Sequence, residues 1–195
     1  MAKSIRINRW LKKILIWRNK LSFKPQAFSF AEKMKRAENV LICLPAKIEN
    51  LASMKEYLDI FADIFQNKKI SVFLPQVGAQ SVLSHLERYE VIFPQKEDLG
   101  IFSLPRREFI RRIKNYCFEI ALNLDLDDGF LNSYLCLKSG ALVRIGPKDR
   151  IGFPFHNLEL VLSQEGSYPQ NFCIRMAEMI RSLSPGFARC RDNDE

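Results

Sequence analysis

The chain has 195 residues, of which 47% are hydrophobic and 27% charged, with 8 Gly and 9 Pro. That composition excludes Pro-rich or polar disorder and suits one globular domain with a short appendage, and no run of about 18 uncharged apolar residues argues for a membrane span. The net charge of +8 is uneven: residues 1–39 carry eleven Lys/Arg and two acids, whereas the rest carries 19 bases and 20 acids, so attraction to anions resides in the N-terminal segment.

Residues 5–21 predict an amphipathic helix, with Ile7, Trp10, Ile14, Trp17 and Leu21 as its apolar stripe. Arg9, Lys12, Lys13 and Lys20 are expected away from the stripe, and Leu15 and Ile16 depart from the pattern. Pro25 breaks the helix, and a second, charged helix is expected over 27–38. Three readings stand for this basic segment. It docks on an anionic membrane surface, with Trp10, Lys13, Trp17 and Lys20 at the headgroups; it binds nucleic acid; or its stripe covers the domain or a partner subunit. The nucleic-acid reading is the weakest, because the body lacks a basic stripe interleaved with aromatics.

From residue 39 the pattern changes. Val40–Leu44 is an apolar run closed by Pro45, as a buried parallel strand requires. A helix capped by Asn50 follows over 51–66, with Leu51, Met54, Leu58, Phe61 and Phe65 inward. Ile70–Leu74 is a second strand, 79–88 a short helix and Val91–Phe93 a third strand. Residues 106–116 form a basic helix with Phe109, Ile110 and Ile113 inward, and Phe118–Leu126 a fourth strand leading to the acidic turn of Asp125, Asp127 and Asp128. A helix over 130–138 stops at Gly140, and Ala141–Ile145 is a fifth strand. Asn157–Leu162 is a last strand or an extended run, and Pro169–Leu183 a final helix before a polar tail.

Alternating strands and helices predict an α/β, Rossmann-like fold with a mainly parallel sheet. The expected organisation is a basic extension over 1–38, a domain over 39–185 and a tail over 186–195. Ligands of such sheets sit beyond the carboxyl ends of the strands, here at Pro45–Asn50, Pro75–Gly78, Asp125–Gly129 and Gly146–Arg150.

The loop after the first strand reads PAKIEN, without glycine, which disfavours a dinucleotide pyrophosphate. Lys47, Glu49 and Asn50 form a polar cluster there; one reading makes Glu49 a general base, the plainer one makes Asn50 a cap with Glu49 at the positive end of the helix dipole. Asp125 and its neighbours either hold substrate hydroxyls or a metal, or serve as a solvated, capping turn. Five cysteines without CxxC spacing and two histidines make a zinc site improbable, and Cys43, Cys117, Cys136 and Cys173 read as core residues of a cytosolic protein.

The stretch FEIALNLDLDDGFLNSYLCLKSGALVRIGP, followed by FPFHNLEL, resembles glycosyltransferase family 9, the lipopolysaccharide heptosyltransferases. In that family a strand of the type DLVIDL leads to a helix, then SGAxxRIGF, then an FNL segment. The matching pieces here are Glu119–Leu124, then Ser139, Gly140 and Ala141 with Arg144, Ile145 and Gly146, then Phe155 with Asn157 and Leu158. VLICLP and KKISVFLP fit the family's first two strands, so the resemblance spans residues 39–183.

The resemblance implies the N-terminal, acceptor-side domain of a two-domain GT-B enzyme of lipopolysaccharide biosynthesis. The donor-binding domain would lie beyond the point where this sequence stops, so turnover by this chain alone is not expected. The family's Gly-Asp pair in the first loop, whose Asp serves as base, has no counterpart in PAKIEN; Glu49 is the nearest carboxylate. Lys47, Asn50 and Asp125, by their places at the strand ends, are candidate substrate contacts, and the resemblance adds Arg144, which also has a structural reading. No metal or cofactor is called for. The implied partners are a sugar or glycolipid acceptor and a separate donor-domain protein or a second copy, in the cytoplasm or on the inner face of the membrane. The alternative is a non-catalytic binding or scaffold protein built on the same fold.

Overall fold

The computed structural model describes residues 3–4, 8–46, 58–77, 86, 88–100, 103–127, 130–148, 151–161 and 169–183. Its centre is a six-stranded sheet of β2 (Asn39–Cys43), β3 (Lys69–Phe73), β5 (Glu90–Ile92), β6 (Ile120–Asn123), β7 (Val143–Pro147) and β8 (Leu158–Leu160). All neighbours are parallel, in the order β5-β3-β2-β6-β7-β8. Counted along the sheet's own strands this is 3-2-1-4-5-6, the Rossmann order. The expected strands are all present. The fourth is shorter than predicted, because pairing with β2 and β7 ends at Asn123.

β2 and β6 are buried at nearly every position, which explains why VLIC and IALN read as apolar runs without alternation. Their side chains feed opposite faces. Val40, Ile42, Ile120 and Leu122 join Leu58, Phe61, Phe65, Phe172, Met176 and Ile180 in the larger core. Leu41, Cys43 and Ala121 join Phe109, Ile113, Leu135 and Cys136 in the second.

The first face is covered by α2 (Phe30–Arg36), α3 (its described part, residues 58–64) and α6 (Pro169–Leu183). The other is covered by α4 (Arg107–Asn115) and α5 (Phe130–Lys138). Gly140 stops α5 in the left-handed conformation (φ +89°), as the sequence predicts. The helix expected over 79–88 and the first turns of that expected over 51–66 lie outside the described residues.

The N-terminal segment is part of this body. Met34 and Ala37, within the extension expected over 1–38, belong to the larger core. α1 (Arg9–Ser22) starts at Asn8, whose side chain accepts a hydrogen bond from Trp10 N at 2.9 Å. Leu15 packs with Phe130, Tyr134, Ile151 and Phe155 in a third cluster, joined by Leu11, Ile16, Leu104 and Ile110. Asn19, also buried, ties the helix to α5 by accepting from Lys138 Nζ at 2.7 Å. The residues that break the predicted stripe are thus the ones that dock, and its described members, Trp10, Ile14, Trp17 and Leu21, do not cover the domain, Ile7 lying outside the described residues. Ahead of α1, β1 (Lys3–Ser4) pairs antiparallel with β4 (Gln76–Val77) just beyond the exit of β3. Among the described residues no helix is long and apolar enough to cross a membrane.

Candidate functional site at the switch point of the sheet

The strand order reverses between β2 and β6, so consecutive connections leave in opposite directions there, and the carboxyl ends at such a switch point are where open α/β sheets place their ligands. β2 delivers Cys43, Leu44 and the loop from Pro45 onward; β6 delivers Asn123 and then Asp125. Asn132 of α5 donates from Nδ2 to Leu44 O at 2.8 Å and so fixes the first residue of the β2 exit against the helix. Lys47, Glu49 and Asn50 follow within a few residues in sequence and lie outside the described residues, as does Asp128.

Asp125 is buried at this seam. Its main-chain N–H donates to Asn123 Oδ1 at 3.0 Å, and its Oδ1 accepts from Asp127 N at 3.0 Å. Two successive side-chain-to-backbone turns therefore shape the β6 exit. Asn123, the lone polar residue of an apolar strand, also donates from Nδ2 to Ser133 Oγ at 3.2 Å and meets His156 Nε2 at 3.4 Å. His156 was not singled out from the sequence as a site residue, yet the β7–β8 connection carries it into the same buried polar set. Among the described residues, His156 Nδ1 and Asn132 Oδ1 are buried without a hydrogen-bond partner. The buried set of Asn123, Ser133 and His156, with His156 Nδ1 unspent, and Asn132 Oδ1 at the β2 exit, also unspent, make a polar floor whose chemistry suits sugar hydroxyls, which both give and take hydrogen bonds. The sequence signal for it was polar residues breaking apolar runs, in IALN and in FLNSYL.

In the second core Cys43 and Cys136 stand with sulfurs 3.9 Å apart. Burial pushes the Cys43 thiol well above its ordinary value, which disfavours it as a nucleophile. Cys173, buried in the other core, is pushed up to about 12 by burial. Cys117, expected in the core, is exposed at the turn after α4, where it adopts a positive φ of 51°. Among the described residues no group of three His, Cys, Asp or Glu side chains converges to hold a metal ion.

Arg144 is not brought to Asp125. Its guanidinium is buried and directed to main chain: Nε donates to Pro154 O at 3.0 Å and Nη1 to Ala141 O at 2.5 Å, and the group lies 5.3 Å from the centre of the Phe23 ring. Burial lowers its pKa from the ordinary value. Asn157 completes the arrangement, accepting from Arg144 N at 2.8 Å and donating to Leu142 O at 2.6 Å. The RIG and FHNL pieces of the sequence thus interlock: Arg144 and Asn157 hold the 151–157 connection against β7, and that connection presents His156 to Asn123. Glu119 lies at the other end of β6, where its carboxylate accepts from the main-chain N–H groups of Glu38 (2.5 Å) and Asn39 (3.4 Å). The helix residues Trp10, Lys13, Trp17 and Lys20 are all exposed, on the far side of α1 from its docking face.

No protein-family model matches this sequence, and no curated protein matches it. Among solved structures, the ADP-heptose LPS heptosyltransferase II of E. coli is similar, with a TM-score of 0.50 at 18% identity over 66% of this chain. The likeness covers 36% of that protein, so this chain corresponds in fold to about a third of its length. At that identity it shows a shared α/β, Rossmann-like architecture.

Proposed function

We propose that these residues form the acceptor-side lobe of a heptosyltransferase-like glycosyltransferase, the nucleotide-sugar lobe being supplied by other sequence. The observation that carries this reading is the polar floor at the switch point, on a sheet whose architecture is shared with a heptosyltransferase. In this reading an acceptor sugar binds over Asn123, Asn132 and His156. Glu49, on the loop that leaves β2 beside Asn132, takes the proton of the acceptor hydroxyl as its oxygen attacks the anomeric carbon and the nucleoside diphosphate departs. Lys47 and Asn50 on the same loop would orient the acceptor, Asp125 would shape the β6 exit, and Arg144 would act by positioning His156.

Calorimetric titration of the chain with a deacylated lipopolysaccharide core oligosaccharide tests acceptor binding; binding weakened about tenfold by Asn132→Ala is expected, and no binding at millimolar ligand refutes the reading. With a donor lobe present, Glu49→Gln is expected to slow transfer by about 10²–10⁴-fold without loss of acceptor binding.

A second reading, a non-catalytic binding or scaffold domain, is favoured by the β1–β4 ribbon, which lays the N-terminal segment at the carboxyl edge where a second lobe would approach. On that reading Glu49→Gln changes neither partner binding nor any turnover.

A further inference from the structure

α1 presents two opposite faces. Leu15 is 5% exposed, whereas Trp10, Ile14, Trp17 and Leu21 are 70, 37, 65 and 68% exposed. At 3.6 residues per turn those four side chains fall within a stripe about 60° wide, pointing away from the docked face of Leu15 and Asn19. Arg9, Lys13 and Lys20 border the stripe on one side and Arg18 borders it on the other, all exposed, and the first turn of the helix carries no acid. A hollow of about 420 Å³ beside the C-terminal end of the helix is lined by Lys24, Lys114 and Lys138. Phe153, half exposed, stands edge-on to Phe23 at 5.2 Å at that end.

A soluble surface helix turns its apolar residues inward. Here a narrow apolar ridge is held outward by a separate set of packing residues, with cations along both of its edges. We propose that α1 is a lipid-docking ridge: Trp10, Ile14, Trp17 and Leu21 enter the headgroup–acyl boundary of an anionic bilayer while Arg9, Lys13, Arg18 and Lys20 meet its phosphates. Tryptophan suits this place because its indole has an apolar body and a polar N–H. Charge decides the occupant. Two copies of the chain meeting through this face would oppose the same four cations to one another, and a nucleic acid would leave the ridge between the cations unsatisfied. Because α1 is packed on α5 through Leu15 and Asn19, the bilayer would hold the folded domain in a fixed orientation rather than on a free tether. The inference does not depend on sugar chemistry, so it and the proposed function can fail separately.

Trp10 and Trp17 are the only tryptophans of the chain, so its intrinsic fluorescence reports this helix directly. Full-length protein is mixed with phosphatidylcholine vesicles with and without phosphatidylglycerol, and both emission and co-sedimentation are followed. The expected result is a blue shift and sedimentation with the anionic vesicles only. Trp10→Ser with Trp17→Ser, and separately Lys13→Glu with Lys20→Glu, should each weaken sedimentation about tenfold or more while leaving the unfolding midpoint in place. The proposal is overturned by absence of binding, by equal binding to neutral vesicles, or by binding that neither double variant weakens. It is overturned equally by preference for duplex DNA over vesicles, or by a dimer in sedimentation equilibrium that the tryptophan variant dissociates.

Discussion

Gly146 leaves its Cβ position to the imidazole of His156: a methyl group there would stand 2.5 Å from Nε2 and 2.6 Å from Cε1. The glycine is required by close approach and not by backbone conformation, since Gly146 lies within β7 and is not among the positive-φ residues. His156 is thereby seated against Asn123, and the two strand exits share one polar floor.

Gly146→Ala is therefore expected to displace His156, break its contact with Asn123 and cost about 1–3 kcal/mol of stability in urea unfolding. In a His156→Ala background the same substitution should cost little, giving a coupling energy of similar size to the single-variant loss. Full additivity of the two changes would show that Gly146 serves another neighbour.

The sheet was legible because its central strands are buried on both faces and carry no polar alternation; VLIC and ISVF admit few other readings. The floor of the site was harder to read. Asn123 and His156 are 33 residues apart, and only the β7–β8 connection, folded back by Arg144 and Asn157, brings them together. A spacing rule cannot find a pair assembled by two strand crossings. The family-like elements around Arg144 and Asn157 could be recognised as sequence, while their work, bonding to main-chain carbonyls, is visible only in three dimensions. The same limit acted on α1: periodicity identified an apolar stripe, but a period does not say which way the stripe faces.

At the sheet edge, Lys69 Nζ lies 2.8 Å from Glu90 Oε2 across β3 and β5. The Lys69 hydrogen bond holds the Glu90 carboxyl below its ordinary value of 4.5, and Glu90 in turn raises Lys69 above 10.5. A lowered carboxyl contributes stability above its unfolded value and loses it as pH falls through the lower folded value; a raised amine contributes below its unfolded value and loses it as pH rises through the higher folded one. Glu90→Gln should accordingly be slightly less stable than the parent at neutral pH, with the difference closing as pH drops below about 4.5. The effect is small because both side chains keep much of their surface in water. A difference that persists undiminished at acid pH would assign the loss to packing rather than charge.

Leu15 and Ile14 are adjacent in sequence and similar in size, yet Leu15 is 5% exposed and Ile14 37%, a quarter-turn round the helix at the edge of the outward ridge. Truncating Leu15 opens a hole among Phe130, Tyr134, Ile151 and Phe155, with an expected cost of about 2–4 kcal/mol. Truncating Ile14, which water already reaches in part, leaves no enclosed hole and should cost about 1 kcal/mol or less. Limited trypsin digestion offers a second readout: Leu15→Ala should speed cleavage at the lysines of α1, Lys12, Lys13 and Lys20, because the helix leaves α5 more often, and Ile14→Ala should not. If the two substitutions cost the same, the helix is rotated from the orientation described, and the outward ridge with it. If only Leu15 matters, the domain maintains α1 in place through one face and leaves the other, with both tryptophans, for something outside the chain.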